Sequence, residues 1–485
     1  MLQSYPLFLL LLPLFFVGHG LVEHAGHIPL NEAFLLLGIY LAAAGIFWLV
    51  FRRFLPSWLH AGLMSFSLLT FHFFFGAIQD LLRTSWPGSF VSRYVFLLPA
   101  ALILFVLLFR WLRSKTRPVA RLSYFINLLL LLLILIDLGQ WSYNRLQQRS
   151  HPVLPAGTTA CTHCDSPDIF LIMADEYAGD RSLRDLFSFN DSAFYRQLEQ
   201  RGFRVLRQSA SNYNYTPYSI ASTLNMDYLD LDRRGKKPLL AYCYETIANN
   251  QLLGFLRYQG YQLLNYSYFD FPGQPTYTQE TFLPNRTRLI TGQTFLSRIE
   301  KEMRFQLSTR FNLQTEARKQ AYFNKGNNDK LYELTLQAAS EKPAKPRFVF
   351  THLMLPHYPY YFDHDGRAYP FESLQEGKQY DTSHYLGYLQ WANGQYLKLI
   401  DSIMAHSRRP PLIVLMSDHG FRHFNRAIDP YYYFSNLVAV HLPGDNNRLL
   451  ADSLTNVNLF RAILNIQFKQ QLPLLRDSSY VLDNP

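Results

Sequence analysis

The sequence predicts a two-part protein: an N-terminal bundle of about five transmembrane helices, then an α/β domain with a largely parallel central sheet. Three observations carry that reading. Long apolar runs are confined to the first third of the 485 residues. Short, continuous apolar runs recur after it at helix-sized intervals, and a polar stretch with Pro152, Pro155 and Gly157 separates the two regimes. The mean hydropathy of −0.06 is therefore an average over two unlike regions. The expected divisions are 1–140 for the membrane part, 141–165 for a linker and 166–485 for the second domain.

A bilayer span needs about 20 apolar residues. Five runs approach that length: 7–21, 33–51, 59–78, 94–109 and 122–138. The first has no basic segment before it and is followed at once by others, so it reads as a span and not a signal peptide. Arg52 and Arg53 follow the second run, and Arg110, Arg113, Lys115, Arg117 and Arg121 lie between the fourth and fifth. The alternate loops hold only Arg83 and Arg93, or no basic residue. The positive-inside bias then puts the N-terminus in the cytoplasm and all that follows the fifth run outside. The expectation is a multi-pass protein of the plasma (inner) membrane with an extracytoplasmic second domain. His72, deep in the third run, is costly there unless partnered and reads as hydrogen-bonded between helices. Asp80 and Asp137 fall at outer ends of spans.

The net charge of +10 comes without a basic cluster set in a nucleic-acid motif. That points away from nucleic acid and toward cytoplasmic loops and an anionic lipid surface. Three cysteines exclude a disulfide scaffold. Outside the cell, Cys161 and Cys164 are expected to pair locally, with Cys243 a buried thiol.

In the second domain, apolar runs at 169–174, 261–264, 348–353, 412–416 and 437–442 read as strands covered on both faces. Helices are expected near 191–201, 217–225, 382–405 and 457–467. Such sheets gather their ligands at the carboxyl ends of the strands. Asp175 and Glu176 close the first run there, and Asp418 and His419 close the fourth. Thr216 precedes Pro217 and reads as a helix N-cap. A helix N-terminus also suits an anion, which would place the hydroxyl beside a bound phosphate. Together Asp175, Thr216, Asp418 and His419 offer three oxygens and one imidazole nitrogen. That set fits one divalent metal, zinc first and manganese second. Spacing alone does not bring the four together.

The order of "PDIFLIMADEYAGD", "SNYNYTPYSIASTLNMDYL", "FVFTHLMLPHYPYYFDHDG" and "LIVLMSDHG" resembles the sulfatase-like branch of the alkaline phosphatase superfamily. The five runs ahead of it resemble the architecture of that branch's membrane members, lipoteichoic acid synthase and the phosphoethanolamine transferases. The resemblance implies an alkaline-phosphatase-like fold in which Asp175 is the acidic metal ligand and Thr216 the nucleophile. Asp418 and His419 would complete the metal site, and His357 would lie near the transferred group. Those transferases usually carry Glu at the first position, so the Asp-Glu pair leaves Glu176 as an alternative to Asp175. True sulfatases need a Cys or Ser in C/S-x-P-x-R, and "TPYSI" offers none. No Asp-x-x-x-His for a second metal is evident, so one metal is expected.

The implied activity is a metal-dependent phosphotransferase or hydrolase. It would move a phospho-alcohol group, phosphoethanolamine or phosphoglycerol, from a phospholipid donor through phospho-Thr216 to an envelope glycan or lipid acceptor. Two alternatives remain at this point: a single-metal phosphodiesterase or sulfatase-like hydrolase using water, and a catalytically silent module that senses envelope components. His352 reads as structural, "FDHDG" as a tight turn, and His423 as a further pocket candidate. Residues 294–311 carry Phe295, Ile299, Met303 and Leu307 at helical spacing among Arg298, Lys301, Arg304 and Arg310. They read either as an interfacial helix or as a helix covering the sheet.

Overall fold

The run 169–174 becomes β1 (Ile169–Ala174), buried along its whole length because it has a core on each side. Ile169, Leu171 and Met173 join one hydrophobic cluster, and Phe170, Ile172 and Ala174 join the other. Successive strand residues point to opposite faces, so only a strand covered twice needs an unbroken apolar run. Each large side chain buried there contributes roughly 1.5–3 kcal/mol.

This computed structural model describes all residues except 1–2, 24–27, 29, 87–88, 115–118, 148–153, 162–163, 231–238, 279–286, 300–317, 320, 342, 376, 408 and 483–485. The chain divides into two compact units, Met1–Arg149 with Gln279–Gln314, and Ser150–Thr278 with Thr315–Pro485.

The first unit contains α1 (Phe8–Glu23), α2 (Leu30–Arg52), α3 (Trp58–Ser85), α4 (Tyr94–Leu112) and α5 (Ala120–Gln147). Four of these, α2 to α5, are long and apolar enough to cross a membrane, whereas α1 is apolar but has 16 residues. His72 lies edge-on to the Tyr40 ring at 5.8 Å, and Asp137 meets His19 Nδ1 at 3.0 Å. Residues 287–299 belong to this unit. The Phe295 ring packs on Phe71 and Phe75 of α3, and Arg298 pairs with Asp80 at 2.5 Å. The Gly76 amide donates to Gln293 O, and a Cβ at Gly76 would come within 2.6 Å of that carbonyl. Phe295, the first residue of the apolar stripe, thus packs on a membrane-type helix. Its continuation, 300–311, lies outside the described residues.

The second unit is built on a six-stranded sheet ordered β2-β6-β5-β1-β4-β3. Here β2 is Arg204–Val205, β3 Gln262–Tyr266, β4 Arg347–Leu353, β5 Leu412–Met416 and β6 Val438–His441. β5, β1, β4 and β3 run parallel, while β6 is antiparallel to β5 and to β2. Helices Thr216–Asn225, Leu239–Ala248, Gln251–Tyr258 and Asn456–Phe468 cover one face. Helices Ser192–Gln200, Phe323–Ser340 and Thr382–His406 cover the other. Cys161 and Cys164 are disulfide-bonded, and Cys243 is buried and free.

Candidate active site

β1 and β5 are neighbours running the same way, so Asp175 and Asp418 leave the sheet side by side. Asp175, Asp418 and His419 are all fully buried, and one ligand atom from each lies within 4.8 Å of the others. Their local structure explains the placement. Ser219 Oγ and Asn456 Nδ2 both donate to Asp418 O. Asp418 Oδ1 accepts from the Glu176 amide at 3.1 Å, which ties the end of β5 to the end of β1. A Cβ at Gly420 would come within 2.5 Å of Ser435 O and 2.6 Å of Tyr432 O, so the turn after His419 requires glycine.

His419 Nδ1 lies 2.8 Å from Gly420 O, a partner that only accepts. This nitrogen therefore carries the proton, and Nε2 presents its lone pair to Asp418 Oδ2 and to Thr216 Oγ1, each at 3.2 Å. Thr216 is not the N-cap expected. It is the first residue of its helix, Tyr215 occupies the cap position without a side-chain cap, and the Thr216 hydroxyl turns to His419.

His352 Nε2 donates to Asp175 Oδ2 at 2.9 Å, so this buried strand residue orients the carboxylate. Burial alone would raise the Asp175 pKa, but His357 and His352 hold it down to about 2. Asp175 Oδ1 and Asp418 Oδ2 are buried without any hydrogen-bond partner. Two such carboxylate oxygens facing an imidazole lone pair are costly in the absence of a cation. Asp175, Asp418 and His419 therefore form a group that could hold a metal ion, with the Thr216 hydroxyl beside it.

The structure adds a second group that the sequence reading did not assemble. Glu176, His357 and His423 also offer ligand atoms within 4.8 Å of one another. Glu176 is fully buried, and its Oε2 lies 3.3 Å from His423 Nε2 and 3.7 Å from His357 Nε2. His357 Nδ1 donates to Tyr358 O at 2.5 Å, which leaves Nε2 toward the carboxylate. Although burial would raise it, His423 and His357 drive the Glu176 carboxyl well below the usual range. Asp175 and Glu176 thus fall in different groups. Arg422, also missed, donates its amide to Glu176 Oε1 at 3.0 Å, and its guanidinium stacks 4.4 Å over Tyr215, the neighbour of Thr216. In "FDHDG", Asp363 Oδ1 accepts from the amides of Asp365 and Arg367, a tight turn closed by Gly366 at φ 83°.

The family model for sulfatases matches residues 167–463, more than half of the chain. The chain belongs to the sulfatase family. It is accordingly an enzyme of the alkaline phosphatase superfamily, a phosphotransferase or hydrolase, and among its described residues four helices are long and apolar enough to cross a membrane. No curated protein matches the sequence. Among solved structures, the C-terminal periplasmic domain of EcEptC from Escherichia coli, in complex with Zn, is similar at TM-score 0.40 and 11% identity, over 66% of this chain and 87% of that one. A phosphonate monoester hydrolase from Silicibacter pomeroyi is similar at TM-score 0.40 and 15% identity, over 64% and 75%. The lipooligosaccharide phosphoethanolamine transferase EptA from Neisseria meningitidis, an integral membrane protein, aligns over 95% and 94% at TM-score 0.37 and 11% identity.

Proposed function

We propose that this sulfatase-family enzyme is a membrane phosphotransferase. It takes a phospho-alcohol group from a phospholipid onto Thr216 and passes it to a hydroxyl or amine of an envelope glycan or lipid. The observation that carries the reading is the Thr216 hydroxyl 3.2 Å from His419 Nε2, beside two buried carboxylates with unpartnered oxygens. Asp175, Asp418, His419 and Thr216 would hold one divalent cation, with zinc favoured over manganese by the imidazole. When bound, it supplies Lewis acidity that eases deprotonation of a coordinated hydroxyl and offsets charge on phosphoryl oxygens.

The chain's own groups account for the rest. Thr216 Oγ1, its proton given up to solvent beforehand, attacks phosphorus, forming the O–P bond as the bond to the diacylglycerol oxygen breaks, and leaves as the same alkoxide in the second half. His357 Nε2, with the Glu176 carboxylate placed to stabilise a proton there, protonates that leaving oxygen. In the second half the acceptor hydroxyl or amine gives its proton back to His357 and attacks phosphorus, releasing Thr216. Arg422, held over Tyr215, is placed to meet phosphoryl oxygens during both halves. The missing C/S-x-P-x-R argues against sulfate-ester hydrolysis by a formylglycine. Thin-layer analysis of labelled phospholipid incubated with the full chain tests the reading. Diacylglycerol should accumulate beyond one equivalent of enzyme only with an acceptor present, whereas continued release into water without it would make the enzyme a phosphodiesterase.

A further inference from the structure

We propose that Tyr385 is a positioning residue whose hydroxyl holds Glu176 in a left-handed backbone conformation, and that this turn aims the Glu176 carboxylate at His357 and His423. The inference rests on the reading of Glu176, His357 and His423 as a working part of the site. In extended backbone, neighbours such as Asp175 and Glu176 would point to opposite faces of the sheet. Yet both carboxylates stay at this end of the sheet, Asp175 beside Asp418 and His419, and Glu176 beside His357 and His423. The chain achieves this with φ +60° at Glu176, a region unfavourable to any residue with a Cβ.

Something must maintain that conformation, and the hydrogen bonds show what. Three successive amides beyond β1 donate to side chains: Glu176 N to Asp418 Oδ1, Tyr177 N to Ser417 Oγ at 2.9 Å, and Ala178 N to Tyr385 Oη at 3.0 Å. Tyr385 Oη then donates to Glu176 O, also at 3.0 Å. One hydroxyl accepts from residue 178 and donates to residue 176, closing the turn from both ends. Tyr385 is fully buried, with its ring 4.3 Å from that of Phe421, so water cannot replace the hydroxyl. A phenylalanine there would keep the packing and lose both bonds.

The test uses the full chain in detergent, loaded with cobalt(II), and compares Tyr385→Phe with Tyr261→Phe. Tyr261 is another buried tyrosine, and its hydroxyl donates to Pro167 O at 2.8 Å, away from the site. Glu176→Gln calibrates the effect of losing the carboxylate. Tyr385→Phe should leave the cobalt of the Asp175, Asp418 and His419 group in place, as Glu176→Gln does. It should lower kcat on a soluble phosphodiester about tenfold or more with KM unchanged, the scale of one strained residue released, with Tm close to that of Tyr261→Phe. If Glu176→Gln does not lower kcat, the reading of the second group fails. If Glu176→Gln lowers it and Tyr385→Phe behaves as Tyr261→Phe, the positioning role is overturned. Should Tyr385→Phe not fold, the same change in a Glu176→Gly background, where a positive φ carries no strain, must fold or the proposal falls.

Discussion

The two ligand groups at the lip of the sheet differ in construction. Asp175, Asp418 and His419 are sealed from solvent and come from the tips of adjacent parallel strands. Glu176 is as deeply buried, but its partners His357 and His423 sit on loops and keep 16% and 23% of their side chains exposed. A closed group suits a permanently held ion, and an open one suits a substrate that must enter and leave. The difference teaches that adjacent residues of one pair, Asp175 and Glu176, can belong to groups of opposite accessibility, which under the proposed function would serve retention and exchange separately.

The largest expected effect breaks the closed group. Asp418→Ala and His419→Ala should each lose bound metal and about a thousandfold or more of turnover, the protein remaining folded. Full metal occupancy by elemental analysis in both variants would sink the assignment. Next comes the nucleophile: Thr216→Ala should lose turnover comparably while retaining metal, and Thr216→Ser should recover most of it. A silent Thr216→Ala would transfer the nucleophile role elsewhere.

The open group should respond less. His357→Ala is expected to cost about a hundredfold in turnover, with the metal of the closed group retained. If His357→Ala strips that metal as completely as His419→Ala, the two groups form one unit and the comparison dissolves.

The smallest effect lies below both groups, where Tyr177 Oη contacts Asp191 Oδ2 at 2.6 Å and Asn393 Oδ1 at 2.5 Å. One hydroxyl proton cannot serve two acceptors, but a protonated Asp191 donates to Tyr177, which donates to Asn393. Burial accordingly raises the Asp191 pKa to about 7. Between the unfolded carboxyl range and pH 7 the folded state binds the extra proton, so this contribution is full at low pH and lost as pH rises through 7. Asp191→Asn should flatten that decline in Tm between pH 5 and 8, and an unchanged slope would remove Asp191 as its source.

What the sequence disclosed follows the same division. The strands of the closed group were legible because burial on two faces leaves an unbroken apolar run, as in 169–174 and 412–416. Asp418 and His419 stand directly after such a run. The helix 323–340 went unseen because its polar residues outnumber its apolar ones, and β2 is only two residues long. Glu176 was legible only as an alternative to Asp175, and Arg422 carried no signal beyond its neighbours Asp418 and His419. The positive φ at Glu176 follows from Tyr385, a residue 209 positions away that no spacing rule connects to it. The segment 294–311 offered an amphipathic pattern but not the partner of Phe295, since α3 presents an apolar surface just as lipid would.

The central claim is that Thr216 carries the transferred group, and the mass of the Thr216 peptide tests it most directly. The full chain would be incubated with donor membranes without acceptor, quenched in acid and digested. The account predicts a peptide heavier by a phosphoethanolamine or a phosphoglycerol, absent from Thr216→Ala. An unmodified Thr216 in protein that is consuming donor lipid would contradict it.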